Sequence, residues 1–205
     1  MAERLKFYES KPNIKFLKKA ADTLERGGLI IYPTDTVYAL GCLSNNLNGL
    51  QRLARIKEVK LDKAPFSLFI KDFSDLSKYT KPLNNSTFKL LKRCLPGPYT
   101  FILPSLKLQK PFEKRKSIGI RIANHPILEG LMDLLKAPLI TSSLHDEDEI
   151  LDYSTDPDLI YERWENNIDL MLEDGFGGNI PSTVVNLCGN MLEIIRKGKG
   201  DLSNL

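Results

Sequence analysis

Cysteine is scarce in this chain, and the few cysteines that occur exclude the usual cysteine-based sites. There are three among 205 residues, Cys42, Cys94 and Cys188. They lie far apart in sequence and fit neither a zinc-ligand spacing nor a disulfide framework. We expect small buried thiols in a reducing compartment, and hence a cytoplasmic protein.

Long apolar runs are missing as well. No stretch approaches the roughly twenty apolar residues that a membrane-spanning helix needs, so we predict no membrane association. The basic residues of segment 1–6 are not followed by an apolar core, and we expect no signal peptide. Histidine is limited to His125 and His145, whose separation in sequence does not indicate a metal site.

The chain has no large excess of charge of either sign. The 29 lysines and arginines against 26 aspartates and glutamates give a net charge of +3, which is too small to indicate nucleic-acid binding by itself. The basic run Lys114 to Lys116 is typical of a solvated loop. With 42% hydrophobic residues, the length fits one domain over 1–205, with a core over about 14–201.

Known phosphate-binding loops are also absent. The chain contains neither Gly-x-x-x-x-Gly-Lys-Ser/Thr nor a Gly-x-Gly-x-x-Gly between a strand and a helix. The glycine-rich stretch 175–178 is too short and too weakly specified to replace them. Neither histidine has a spacing that selects a serine nucleophile, so no Ser-His-Asp arrangement can be assigned.

Hydrophobic periodicity predicts alternating strands and helices. In segment 14–26, apolar residues fall on one helical stripe that Gly27 and Gly28 can end. Helices are predicted over 14–26, 45–57, 72–79, 86–94, 126–135 and 156–164, and strands over 29–31, 37–40, 67–70, 99–103, 118–122, 138–142, 168–172, 184–185 and 194–195. This alternation is typical of a single α/β domain with a mixed sheet.

The stretch from Pro33 to Gly41 places two hydroxyls, a carboxylate and a phenol between two apolar runs. One interpretation is a turn in which Thr34, Asp35 and Thr36 bond the local backbone, which is common for these residue types. The other is a ligand site at a strand end. The spacing alone favours the turn.

Other polar residues are also predicted at strand ends. Ligands of open α/β sheets bind where such ends converge, and hydroxyls beside cations suit a polyanion such as a phosphate. Alternatively, the two arginines of the set pair with acidic side chains. The set comprises Thr34, Thr36, Arg121, Thr141 to Ser143, Ser182, Thr183 and Arg196, with Lys57 and Lys60 at the end of the second helix.

Five motifs in this order resemble the YrdC-like family of threonylcarbamoyl-AMP synthases, and more closely its YciO branch. The resemblance extends from about Leu24 to Asp201. A single motif is a weak signal, whereas five in order form a strong one. They are Pro33 to Gly41, Pro96 to Thr100, Ile120 to Ile122 with His125-Pro126, Pro181 to Val185, and Ile194 to Gly198.

The resemblance implies a YrdC-like fold, with a twisted α/β sheet and flanking helices around a concave basic cavity. It implies a nucleotidyltransferase that converts L-threonine, bicarbonate and ATP to threonylcarbamoyl-adenylate and pyrophosphate for a tRNA modification. Mg²⁺ usually accompanies ATP in such displacements. The family's description as binding double-stranded RNA makes such RNA or tRNA a further possible partner.

Site residues also follow from the resemblance. Threonine would be held by Thr34, Tyr38 and Arg121. The nucleotide would be held by Lys57, Lys60, Ser143, Ser182 and Arg196. No catalytic residue and no metal ligand can be assigned.

The chain departs from the synthase pattern at two motifs. Where synthases have Lys-x-Arg, it has Lys57-Glu58-Val59 followed by Lys60, and where they have Ser-x-Asn, it has Ser143-Leu144-His145. An acidic run, 146–149, replaces a glycine-containing loop. Three hypotheses therefore stay open: a synthase, an RNA-binding protein, and a nucleotide-binding protein with weak or lost catalysis.

Overall fold

The computed structural model describes residues 1–8, 11–106, 108–144, 155–189 and 191–205. These form a single mixed α/β domain. The elements are β1 (Glu3–Lys6), α1 (Ile14–Glu25), β2 (Ile30–Tyr32), β3 (Ala39–Leu43), α2 (Leu47–Ile56), β4 (Ser67–Phe69), α3 (Leu76–Tyr79), α4 (Asn85–Cys94), β5 (Tyr99–Pro104), β6 (Ser117–Arg121), α5 (Pro126–Met132), β7 (Leu139–Ser143), α6 (Pro157–Trp164), β8 (Leu170–Glu173), β9 (Thr183–Asn186), β10 (Glu193–Arg196) and a 3₁₀ helix (Leu202–Asn204).

The described strands form one twisted sheet in the order β1-β8-β2-β3-β7-β4-β6-β5-β9-β10. Parallel pairs such as β4 and β6 adjoin antiparallel pairs such as β3 and β7. The prediction of a mixed α/β sheet is confirmed. Strands β3 and β7 are antiparallel neighbours, and Ala39 at the start of β3 pairs with Ser143 at the end of β7. The turn before β3 and the residue after β7 therefore lie at the same end of these two strands.

Apolar layers cover both faces of this sheet. In β2, Ile31 belongs to one buried cluster, whereas Ile30 and Tyr32 belong to the other. This follows from the alternation of side chains along a strand. Helix α1 contributes Leu17 and Leu24 to the second cluster, as its periodicity predicts. Strands buried on both faces provide a rigid support for the residues that follow them.

Strand β1 and helices α3 and α5 are among the elements that differ from the predictions. Strand β1 was not predicted, because its sequence is mostly charged and only Leu5 is buried; it pairs with β8 through the backbone. The helix predicted from residue 72 begins at Leu76, since the Asp72 carboxylate accepts a hydrogen bond of 2.7 Å from Ser74 N and forms a turn. Helix α5 ends at Met132, before the predicted residue 135.

The cysteines follow the prediction at two of three positions. Cys42 and Cys94 are buried free thiols, but Cys188 is exposed, so its predicted burial is wrong. Cys188 lies after β9, where its backbone N–H donates to the Asn186 side chain at 3.0 Å and the chain turns outward. In the part of the chain that the structure describes, no helix has the length and apolar character needed to cross a membrane.

Candidate functional site

The Pro33 to Gly41 stretch begins with the predicted hydroxyl turn. Thr34 Oγ1 donates to Val37 O at 2.7 Å and accepts from Thr36 N at 3.0 Å. It also lies 3.0 Å from Thr36 Oγ1. These bonds confirm the turn interpretation for Thr34, whereas the Asp35 and Thr36 side chains bond other side chains. Strand β3 begins after the turn, at Ala39. Thr34 is only partly buried at the end of β2, so the turn is compatible with a site.

A buried ion pair fixes the middle of this turn. Arg121 Nη2, at the end of β6, donates to Asp35 Oδ1 at 2.9 Å and to Thr36 Oγ1 at 3.1 Å. The guanidinium lies 4.7 Å from the centre of the Phe69 ring. Only 8% of the Arg121 side chain and 9% of the Asp35 side chain are exposed. The alternative that Arg121 pairs with an acidic side chain is therefore confirmed.

This pair retains unused hydrogen-bonding capacity. Asp35 Oδ2 and Arg121 Nε are both buried, and neither has a hydrogen-bond partner among the described residues. An unsatisfied buried polar group costs about 1–3 kcal/mol. Such groups call for a ligand or an ordered water. One carboxylate oxygen and one guanidinium N–H can therefore receive a molecule with a donor and an acceptor.

Burial shifts the proton equilibrium of the arginine. The pKa of Arg121 is lowered mainly by burial, an effect that the Asp35 carboxylate opposes. The positive charge of Arg196 lowers this pKa further, so Arg196 contributes to the electrostatic field at Arg121. A second positive charge beside a paired arginine favours an anionic ligand.

Tyr38 is fully engaged with the backbone of a neighbouring loop. Its hydroxyl donates to Gly175 O at 2.8 Å and accepts from Asp174 N at 3.0 Å. The residue is 1% exposed, and burial raises its pKa to about 12. A Cβ on Gly177 would lie 2.6 Å from the ring. In this structure Tyr38 therefore positions the loop after β8.

That loop brings Asp174 to His125, two residues that the sequence did not select as a pair. Asp174 Oδ2 lies 3.5 Å from His125 Nε2, and the two side chains are 7% and 14% exposed. His125 precedes α5. The His125-Pro126 motif was noted only as a family mark, and nothing in the sequence indicated Asp174 as its partner, since the contact depends on the β8 loop.

Two residues predicted to bind nucleotide meet beside the same turn. Lys57 Nζ, just after α2, donates to Ser143 O at 3.3 Å. Ser143 is the last residue of β7 and pairs with Ala39. The next residue, Leu144, donates its N–H to Tyr38 O at 3.2 Å. The structure thus brings Lys57 and Ser143 to the end of β3 and β7 at which the turn lies.

The other predicted nucleotide residues form a second group. Ser182 Oγ lies 2.8 Å from Thr100 Oγ1, and Arg196 donates to Ser182 O from Nη2 at 3.0 Å. Lys199 Nζ donates to Asp35 O at 2.6 Å, which joins this group to the turn. The sequence did not identify Lys199. Its backbone is held beside β9, since Lys199 N donates to Pro181 O at 2.8 Å, and only its side chain reaches the turn.

The departures from the synthase pattern have different environments. Val59, at the position where the resemblance leads us to expect an arginine, packs against the larger apolar cluster. Lys60 is exposed, and no described contact joins its side chain to the site. His145 and the acidic run 146–149 lie outside the described residues. Within the described ranges, no three His, Cys, Asp or Glu side chains are grouped to hold a metal ion.

A cavity adjoins the site at Lys57. It has a volume of about 410 Å³ and is lined by Ile56, Lys57, Glu58, Arg163, Trp164 and Asn167. Lys57 is the only predicted site residue in that lining. The larger basic cavity around the whole set stays a prediction.

Comparison with known proteins gives consistent results. The family model of Sua5, YciO and YrdC proteins, described as "Telomere recombination", matches residues 22–198. The uncharacterized protein YciO of Escherichia coli (strain K12) is 35% identical over 208 residues, which cover 98% of each chain. Its crystal structure has a TM-score of 0.90 and 34% identity, and the match covers 100% of this chain and 99% of that chain.

The names of two further similar proteins refer to an activity or to a bound ligand. The threonylcarbamoyl-AMP synthase of Coxiella burnetii (strain RSA 493 / Nine Mile phase I) is 29% identical over 163 residues, or 78% of this chain and 86% of that protein. The crystal structure of P. abyssi Sua5 complexed with L-threonine has a TM-score of 0.84 at 24% identity. That match covers 95% of this chain and 57% of the other, and it shows a shared fold.

Proposed function

This chain belongs to the Sua5/YciO/YrdC family, and we propose that it is an ATP-dependent synthase of the threonylcarbamoyl-AMP type. The observation that carries the proposal is the buried Asp35–Arg121 pair with its unused Oδ2 and Nε atoms. An amino acid has one charged donor and one charged acceptor, which match these two atoms. The relative named threonylcarbamoyl-AMP synthase supports the reaction type.

The amino-acid subsite comprises the turn and its surroundings. Arg121 Nε receives the substrate carboxylate, and Asp35 Oδ2 receives its ammonium group. Thr34 limits the space beside them, and Tyr38 positions the adjoining loop through Asp174 and Gly175. The threonine complex of the P. abyssi protein supports L-threonine as the substrate.

The nucleotide subsite comprises Lys57, Ser143, Ser182 and Arg196. In the proposed reaction bicarbonate takes up a proton and gives carbon dioxide and water. The threonine amine forms an N–C bond to the carbon dioxide and loses a proton, which gives a carbamate, and a carbamate oxygen forms a bond to the α-phosphorus of ATP. The bond from that phosphorus to the pyrophosphate oxygen breaks, and pyrophosphate leaves. Positioning and charge stabilisation are the main demands of this step. Lys57 and Arg196 supply positive charge from two sides.

Mg²⁺ would enter this site with the nucleotide. The described residues offer hydroxyls and cations, and no group of three carboxylate, histidine or cysteine side chains is found among them. Mg²⁺ is commonly held by substrate phosphates together with only one or two carboxylates. It would supply charge neutralisation on the phosphates, and the residues named above would orient them.

Pyrophosphate release in the presence of ATP and Mg²⁺ tests the proposal. We expect release that requires both L-threonine and bicarbonate, with threonylcarbamoyl-adenylate identified by mass. Release that is indifferent to threonine would contradict the synthase. Val59→Arg restores the synthase side chain at one departure, and an increase in rate would identify Val59 as the limit on turnover.

Binding without turnover is the main alternative outcome. ATP binding by calorimetry with no product in the presence of any amino acid would identify a nucleotide-binding protein with lost catalysis. Binding of double-stranded RNA or tRNA stays a prediction from the family resemblance. If it occurs, it should weaken steeply with salt, since phosphate contacts release counterions.

A further inference from the structure

His125 has the geometry of a largely buried base. Its Nε2 lies 3.5 Å from Asp174 Oδ2. Its Nδ1 is buried and has no hydrogen-bond partner within the described ranges. When a neutral imidazole directs one N–H toward a carboxylate, the other nitrogen carries a lone pair that can accept a proton. Among the described residues, nothing else in the structure uses that Nδ1 lone pair.

His125 also lies in the electrostatic surroundings of the proposed amino-acid subsite. The carboxylates that act on its ring are Asp174 after β8, Asp35 in the turn, and Glu129 one helical turn along α5. Asp35 is the residue whose unused oxygen is proposed to receive the ammonium group. Asp174 is held by its N–H on the Tyr38 hydroxyl. The Asp35 carboxylate therefore acts on the ring electrostatically, and the ring's partner Asp174 contacts Tyr38.

We propose that His125 accepts the proton that the amino-acid substrate must lose before its nitrogen reacts with carbon dioxide, and that Asp174 positions the ring for this step. The proposal rests on the proposed function, because it assigns a role in the same reaction. His125 is then a catalytic residue and Asp174 a positioning residue. Neither was selected from the sequence.

The proton transfer is balanced. An N–H bond of the ammonium group breaks, its electron pair stays on nitrogen, and the proton forms a bond with His125 Nδ1. The resulting amine is neutral and has the lone pair that attacks carbon dioxide. The imidazolium is stabilised by the Asp174 carboxylate, as in other histidine–carboxylate pairs.

The ionisation state of His125 is consistent with this role. Burial lowers its pKa from the ordinary value, and the three carboxylates oppose that shift. A lowered pKa favours the neutral ring, which is the form that accepts a proton. Partial compensation by carboxylates allows the ring to become charged during the reaction.

The test uses His125→Asn. Asparagine is a preferred residue before a helix, and His125 makes no capping hydrogen bond with its side chain, so α5 should be retained. Loss of a general base typically lowers the rate by about 10²–10⁴-fold. For the wild type, kcat/KM for threonine should be level above the His125 pKa. For the variant, it should rise about tenfold per pH unit until the amine of free threonine titrates at about pH 9, above the range of a chain-terminal amine.

Asp174→Asn gives the second variant. It keeps the size of the side chain and removes the charge that stabilises the imidazolium, so we expect kcat to fall while KM for threonine changes little. A rise in KM with unchanged kcat in both variants would instead indicate a role in binding only and would overturn the proposal. An identical pH profile in the wild type and His125→Asn would overturn it as well.

Threonine binding provides a readout that does not need turnover. A protonated His125 repels the ammonium group, so the affinity of the wild type measured by calorimetry should fall as pH drops through the His125 pKa. In His125→Asn that dependence should disappear. If both proteins show the same dependence, the inference fails while the proposed function stands. If threonine binds to neither protein at any pH, both fail.

Discussion

Arg121 and Lys57 illustrate how differently the two sides of the site are built. Arg121 lies in β6, is almost fully buried, and contacts Asp35, Thr36 and the Phe69 ring. Lys57 follows α2, is partly exposed, and donates to Ser143 O at 3.3 Å. The proposed amino-acid side is therefore held by buried contacts, whereas the proposed nucleotide side depends on a partly exposed lysine. Val59, the one departure from the synthase pattern that lies within the described residues, follows the same helix as Lys57 and packs against the larger apolar cluster.

Arg121→Met should produce the largest effect. It leaves the buried Asp35 carboxylate without its partner, and breaking a buried pair in this way costs about 3–5 kcal/mol. The double variant Arg121→Met with Asp35→Asn should recover much of the free energy of unfolding, because no buried charge remains. Urea unfolding of the four proteins of this cycle measures the coupling. Additive losses would show that the two residues do not depend on each other.

Gly198→Ala should have the next largest effect. A Cβ there would lie 2.2 Å from Pro181 O and 2.5 Å from the Ser182 carbonyl carbon, so backbone must move. Overpacking of this kind costs about 1–3 kcal/mol. It should also weaken ATP binding, since Ser182 and Arg196 shift. Gly189→Ala is the matched control, because a Cβ there would meet Met191 O only at 3.9 Å. Equal losses in both variants would exclude the crowding mechanism.

Tyr38→Phe tests the link between the turn and the Asp174 loop. It removes a partner from Asp174 N and Gly175 O, and we expect a loss of about 1–2 kcal/mol. The contribution of Tyr38 to the free energy of unfolding should decrease at high pH. Because the pKa of Tyr38 rises from 10 to about 12 on folding, its contribution is present below pH 10 and lost as pH rises toward 12. The difference between the unfolding free energies of the wild type and the variant should shrink over that range.

The lysines should give the smallest effects on stability. Lys57→Met and Lys60→Met should each change the free energy of unfolding by less than about 0.5 kcal/mol, as surface substitutions usually do. ATP affinity separates them. We expect weaker ATP binding for Lys57→Met and unchanged binding for Lys60→Met, since only Lys57 contacts β7. A loss of ATP affinity at Lys60 would place the phosphates farther from the sheet than proposed.

The fold was largely predictable from the sequence. Alternating apolar runs and helical stripes such as that of α1 reflect local periodicity, which a single segment contains. Strand β1 could not be predicted in this way, because its charged residues give no apolar pattern and its pairing with β8 is a long-range backbone contact. The turn at Asp72 was missed because its side chain competes with the first helical turn.

The site was predictable only in part. Hydroxyls and arginines at strand ends indicated Thr34 and Arg121, and the family resemblance added Tyr38. The Asp35–Arg121 pair was open to two interpretations, since the sequence does not show which carboxylate reaches an arginine. The contact between His125 and Asp174 was missed for the same reason. Their meeting depends on the loop that follows β8, which only the assembled sheet positions.

The contact between Lys199 and Asp35 has a consequence for biosynthesis. The two residues are 164 positions apart in sequence. Strand β2 likewise has its parallel neighbour, β8, far along the chain, so this pairing cannot form until β8 has been synthesised. Contacts this distant in sequence form slowly, because the intervening chain must be ordered first. On a ribosome, the turn at residues 33–38 is made early but cannot be completed until residues 193–199 have emerged. A nascent chain of this protein should therefore acquire ligand-binding capacity only after nearly all of the sheet has been synthesised.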